Sequence, residues 1–111
     1  MGVFLVTFDL HNASESRYEQ IYEWAHQRGG HRYFQFQDGT WGRLPSTTVV
    51  IPLEASNNIA ARDEFRTALE QAGFNVTHVA VADGRDRSAY STVIPSWQVP
   101  DYAKQRATAG V

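Results

Sequence analysis

Six residues near the start, Val3-Phe4-Leu5-Val6-Thr7-Phe8, constrain this chain most, because they are strand-like and largely apolar in both alternating sets. Residues two apart in a strand share a face, so Phe4, Val6 and Phe8 line one side and Val3, Leu5 and Thr7 the other. Both sides call for cover, which implies helices on one face and something else, often a second subunit, on the other. The strand delivers a carboxylate, Asp9, at its C-terminal end, just before a polar turn and an amphipathic helix. Asp9 is therefore the foremost candidate for a catalytic or metal-binding group.

At 111 residues the chain suits one domain with a single core. An apolar fraction of 42% and a charged fraction of 20% fit a folded globular protein rather than a disordered one. The absence of cysteine excludes a disulfide framework, a thiolate zinc site and a cysteine nucleophile within this sequence. No basic segment with a small-residue cleavage site opens the chain and no apolar run is long enough to span a bilayer, so no membrane contact and a cytoplasmic location are the expectation. A formal charge of −2 matters more, since nucleic-acid binders normally carry excess Lys and Arg. Nucleic-acid binding here requires a local patch, a groove built by a dimer, or a metal.

Ser16-Arg17-Tyr18-Glu19 fits a capping box, and Tyr18, Ile21, Tyr22 and Ala25 follow at helical spacing until Gly29-Gly30. The spacing predicts a first helix over Ser14–Arg28. His31 to Gln37 alternates, and Asp38-Gly39 signals a turn before Thr40 to Leu44, so either one long bulged strand or a small extra hairpin fits. Ser46-Thr47-Thr48-Val49-Val50-Ile51 is a β-branched run that reads as a strand, and Pro52 marks its end or a sheet edge. Ser56 or Asn57 caps a second helix carrying Ala61, Phe65, Ala68, Leu69 and Ala72, and Phe74–Ala82 reads as the last core strand.

The order is β-α-β-β-α-β, so the expected fold is α+β, a ferredoxin-like two-layer sandwich with an extended second-strand hairpin and a strand in the tail. Residues 1–82 form the expected ferredoxin-like domain and 83–111 a C-terminal extension. Within that extension Ala89–Ile94 reads as a strand, two prolines break regular structure, and the end after Tyr102 reads as mobile.

Phe4-Leu5-Val6-Thr7-Phe8-Asp9-Leu10, Arg17-Tyr18-Glu19-Gln20-Ile21-Tyr22 and Ser46-Thr47-Thr48-Val49-Val50-Ile51 occur in an order that resembles the CRISPR-associated adaptation endonuclease-like family. That family comprises the second universal CRISPR-associated protein and its stand-alone ferredoxin-like relatives. The resemblance covers about Gly2 to Ala82. It implies a homodimer whose sheets face each other, with the two copies of Asp9 near the two-fold axis. In members with nuclease activity that pair holds magnesium and activates water for phosphodiester hydrolysis. Other members are scaffolds that bind DNA and a protein partner, and ribonuclease toxins of the virulence-associated protein D type share the fold.

One Asp9 per chain is a poor magnesium site by itself, but a two-fold interface duplicates any residue near its axis. The more ordinary role for Asp9 is to cap the turn into the first helix. His11, two residues on, is a candidate phosphate contact whose ordinary alternative is a solvated loop histidine. Ser46 is a candidate phosphate contact whose ordinary role is to open a strand after Pro45. Arg32, Tyr33, Phe34, Phe36, Trp41 and Arg43 interleave cations with aromatics, a pattern able to neutralise and stack single-stranded RNA or DNA. A hairpin packed in a core or at an interface shows the same pattern, and that is the more ordinary reading.

His26 and His31 lack further ligands at metal spacing, and Asp83–Arg87 lacks the ligand pattern of a calcium loop. The sequence has no nucleophile elbow, Walker-type loop or dinucleotide fingerprint. Three classes remain: a magnesium-dependent phosphodiesterase acting through Asp9, a non-catalytic nucleic-acid scaffold using Arg32 and Arg43, and a small protein-interaction module.

Overall fold

A computed structural model describes residues 2–111. Strand β1 (Gly2–Leu10) runs through the middle of a three-stranded antiparallel sheet, flanked by β4 (Thr48–Leu53) and β5 (Val76–Asp83). Its register with β4 runs from Gly2↔Leu53 to Thr7↔Thr48, and with β5 from Phe4↔Asp83 to Leu10↔Val76. Phe4, Val6, Phe8 and Leu10 are buried beneath helices α1 (Glu15–Gln27) and α2 (Asn58–Gln71). On the opposite face Val3 and Leu5 are half-buried, and Thr7 and Asp9 are exposed. The sequence led us to expect cover on both faces of this strand. Full cover exists on the helix side alone, because the other face receives only the chain's own later segments.

Phe65 of α2 lies 5.7 Å from the Phe8 ring and meets Trp24 of α1 edge-on at 5.6 Å, so three elements converge on one aromatic cluster. Ile21, Ala25, Ala61 and Leu69 complete the helical faces. The N-cap of α2 is Asn57, whose side chain accepts the Ala60 N–H at 2.9 Å, as the sequence suggested. The capping box at Ser16 does not form. Helix α1 begins one residue before it, at Glu15, with Ser14 as its N-cap, and this leaves Ser16 and Glu19 inside the helix.

The region after α1 pairs only briefly with the main sheet. His31 and Val50 exchange both main-chain hydrogen bonds at 2.9 Å. Val50 therefore points its polar groups away from β1, and Pro52, two residues on, turns its nitrogen to the same edge. A proline is tolerated there. The chain then forms a separate hairpin of β2 (Tyr33–Gln35) and β3 (Trp41–Arg43), the second of the two arrangements expected for this stretch. Asp38-Gly39 makes its turn, with Gly39 at φ 89° and the Asp38 carboxylate accepting the Thr40 N–H at 2.9 Å. Thr40 pulls the Asp38 carboxyl below its usual range through hydrogen bonds from its hydroxyl and its N–H.

Residues 84–111 differ from the expected extension. No strand forms over Ala89–Ile94; a lone bridge joins Ile94 to Trp41. The end expected to be mobile is helix α3 (Asp101–Thr108), and Val99 and Ala103 pack with Trp41, Tyr33 and Tyr102 in a second small core. Pro100 is the N-cap and offers no side-chain cap, its oxygen accepting the Ala103 and Lys104 N–H, while Asp101 in the first turn and Arg106 in the last suit the helix dipole.

The antiparallel sheet with helices against one face makes the fold α+β. Among the described residues no helix is long and apolar enough to cross a membrane. Phe65→Ala removes the ring at the junction of three elements and is expected to cost roughly 3–5 kcal/mol. Urea unfolding checks this, and a loss well below that range would refute the shared-cluster account.

Candidate functional site

The five residues singled out from sequence fall in three places. Asp9 points from the open face of β1, directly across from His78 on β5, with His78 Nδ1 3.7 Å from Asp9 Oδ2. Thr77 Oγ1 donates to the Asp9 main-chain oxygen at 3.2 Å and contacts His78 Nδ1 at 3.0 Å. Asp9 and His78 remain 59% and 77% exposed, so the pair is screened by solvent. The turn into α1 does not rely on the Asp9 carboxylate. It is tied by the Leu10 N–H to the Tyr18 hydroxyl at 3.1 Å and by the His11 N–H to the Asn75 oxygen at 2.9 Å.

Among the described residues no group of three or more His, Asp or Glu side chains is placed to hold a metal ion. One chain offers a magnesium ion a single carboxylate beside an imidazole, and that donor set does not fit a hard cation by itself. His11 is exposed in the β1–α1 turn, with Nε2 3.2 Å from the Asn12 amide nitrogen.

Arg32, Arg43 and Ser46 come together. They line a cleft of about 650 Å³ whose other wall is the α1 stripe Glu15, Tyr18, Glu19 and Tyr22. The Arg32 guanidinium lies 3.6 Å from the Tyr22 ring centroid, a cation–π contact, and its Nε is buried without a hydrogen-bond partner. Tyr22 is itself anchored, since its hydroxyl donates to the Ser46 main-chain oxygen. Burial lowers the Arg32 pKa from its ordinary value, opposed by Tyr22 and reinforced by Arg43. An arginine nevertheless keeps its charge at neutral pH. The same burial raises the Tyr22 pKa, and Arg32 opposes that shift. Neither Arg32 nor Arg43 is ion-paired among the described residues, whose three ion pairs lie elsewhere.

The open sheet face carries a shallow groove of about 430 Å³ between β1, β5 and the tail, walled by Leu5, Thr7, Ala80, Ala82 and Tyr90. Tyr90 is 86% exposed. Sequence reasoning missed this groove, since it is formed where residues 88–90 cross the face.

It also missed what His26 and His31 do. His31 is 2% exposed, its Nδ1 accepts the Tyr33 N–H at 3.1 Å and its Nε2 lies 2.7 Å from the Val111 main-chain oxygen. These partners require the neutral ring with its proton on Nε2. Arg106 reaches from α3 to His26 Nδ1 and the His26 oxygen, each at 2.9 Å, and to the Gly30 oxygen at 2.8 Å. The His26 ring stacks on Tyr102 at 3.7 Å. The two histidines thus fasten the tail to the chain leaving α1.

Compared with known proteins, the chain matches no family model, no curated protein and no solved structure.

Burial pushes the His31 imidazole below its ordinary pKa, and Arg87 and Arg106 push the same way, against the bonds to Val111 and Tyr33. The folded state therefore resists a proton that the unfolded state accepts. Stability is complete above the unfolded histidine value of about 6.5 and falls as pH drops from there toward the depressed folded value. Urea midpoints measured downward from about pH 7.5 check this, and the decline is expected to be shallower in His31→Gln. An equal decline in both proteins would assign it to other groups.

Proposed function

We propose that this chain is a small nucleic-acid-binding protein built on the ferredoxin-like plan and working as a homodimer, with Arg32, Arg43 and Ser46 as its phosphate contacts. The plan is supported by the order of β1, β4 and β5, by the two helices on one face, and by the His31 segment bridging the outer side of β4 where a second strand would lie. The dimer is supported by the open face of β1 and β5. Small and apolar side chains there, Leu5, Ala80 and Ala82 with the exposed Tyr90, leave a surface that a second copy can cover.

The observation that carries the proposal is the convergence of Arg32, Arg43 and Ser46 on the lining of one cleft. Arg32 enters it partly desolvated, with an unpartnered Nε and no carboxylate in an ion pair with it. A guanidinium without a carboxylate partner leaves its charge for an anion seated in the cleft, and such charge-assisted pairs are the strong ones. The net charge of −2 requires such a local patch rather than a general basic surface.

Fluorescence anisotropy with single-stranded RNA and DNA across a salt series tests the reading. Arg32→Ala and Arg43→Ala are each expected to weaken binding and to reduce the slope of log affinity against log salt by about 0.7. No binding of wild type at low salt would overturn it.

A second reading, phosphodiester hydrolysis at Asp9, is favoured by the exposure of the Asp9 carboxylate on the face offered to a second copy. Two copies would bring a second carboxylate to a donor set that one chain leaves short. On this reading wild type cleaves RNA or DNA with magnesium, and Asp9→Asn abolishes cleavage while the dimer persists in sedimentation. Cleavage that survives the substitution would place the activity elsewhere.

A further inference from the structure

Charges of both signs line the Arg32 cleft, and among the described residues no ion pair joins them. Glu15, Tyr18, Glu19 and Tyr22 lie at i, i+3, i+4 and i+7 on α1, so they form one stripe along the cleft wall. Arg32 stands over Tyr22 at one end of that stripe. At a rise of 1.5 Å per residue, Glu15 lies roughly 10 Å further along the helix, at its N-terminal turn. No ion pair within 4.0 Å joins either glutamate to either arginine among the described residues. The cleft is therefore cationic around Tyr22 and anionic toward Glu15, with Glu19 between them, one turn from Tyr22 and near enough to act on its hydroxyl alongside both arginines.

That polarity selects among phosphate ligands. The backbone of a single strand carries one charge per nucleotide, so a strand threaded through the cleft would bring further phosphates toward Glu19 and Glu15 after passing the arginines. Attraction at one end would be offset by like-charge repulsion at the other. A phosphate monoester instead concentrates a charge of about −1.5 to −2 in one group with three acceptor oxygens. Placed at the arginine end, it satisfies both guanidiniums and the Ser46 hydroxyl. The attached sugar and base, which carry N–H and O–H donors, are then directed along the stripe toward two carboxylate acceptors. The volume of about 650 Å³ suits one nucleotide rather than a run of them.

We infer that the cleft recognises the phosphorylated end of a single-stranded nucleic acid, with Arg32, Arg43 and Ser46 holding the terminal phosphate and Glu15 and Glu19 facing the first nucleoside. This rests on the reading above that the cleft meets nucleic-acid phosphate, and adds that the phosphate is terminal.

The test is anisotropy on wild type with one labelled oligonucleotide in three forms: 5′-phosphorylated, 3′-phosphorylated and hydroxyl at both ends. One phosphorylated form is expected to bind about tenfold tighter than the hydroxyl form or better, a difference of one bidentate charged contact. Arg43→Ala should remove that preference. Glu19→Gln, an exposed change that leaves the fold intact by circular dichroism, should narrow it by raising the affinity of the hydroxyl form. Equal binding of all three forms, still weakened by Arg43→Ala, would overturn the terminal assignment and leave the backbone reading standing. No binding of any form would remove both. A nucleoside monophosphate that competes as strongly as the whole phosphorylated strand would show that the ligand is a free nucleotide, and would overturn assignment to a strand end.

Discussion

The packing of Phe8 between Tyr18 and Phe65 is the interaction on which the rest of the structure depends. Its ring lies 6.0 Å from Tyr18 on α1 and 5.7 Å from Phe65 on α2, so one side chain of the central strand fixes both helices against the sheet. Alternation then leaves no choice for its neighbours. Thr7 and Asp9 must point to the open face, because a slip of one residue would turn Phe8 out and Asp9 in. Along α1 the same contact sets the helix rotation. With Tyr18 held over Phe8, Tyr22 comes one turn later at the edge of β4, where Arg32 settles on it. The aromatic core and the cationic cleft are thus two ends of one constraint.

Elements that draw on local chemistry were legible in the sequence. The β-branched run of Thr48–Ile51, the Asn57 cap and the Asp38-Gly39 turn each contain their own reason for forming, and each is found. The α1 start shows the limit of such reasoning. Ser14 and Ser16 both suit a cap, and their hydroxyls instead contact each other at 2.9 Å while the helix begins from Ser14. Helix α3 was illegible for a stronger reason: it buries one residue fully, Ala103, and is fastened by Arg106 to main-chain groups far away in the sequence. No periodic apolar pattern records a helix held mainly by a side chain reaching for carbonyls. The outer sheet face was misjudged for the same reason, since residues 84–90 reach it only through tertiary folding.

The cleft was half legible. Arg32 and Arg43 stood out because they alternate with aromatics, and hairpin pairing of Tyr33 with Arg43 explains why positions eleven apart become neighbours. Glu15 and Glu19 carried no functional signal, since carboxylates at a helix start are expected on electrostatic grounds alone. They line the cleft only because α1 and the hairpin share an edge. Asp9 moved the other way. The residue most conspicuous in the sequence stands exposed beside one histidine, with a donor set that one chain leaves incomplete.

The tail connects these observations. Arg106 bonds the Gly30 oxygen, His31 is gripped by Val50, Tyr33 and Val111, and the next oxygen, that of Arg32, accepts the Leu44 N–H at 2.7 Å. The main chain that presents Arg32 is therefore held at consecutive residues, and two of those holds come from residues 106 and 111. Among the described residues a single bridge, His31 to Val50, ties the hairpin segment to the main sheet. Without the tail, that bridge and a cation–π contact would have to keep a partly desolvated guanidinium in place, and an arginine side chain has much rotamer freedom to regain. Docking of α3 against Tyr33 and Trp41 supplies the missing rigidity. A segment outside the cleft thereby sets the geometry in which Arg32 and Arg43 line it.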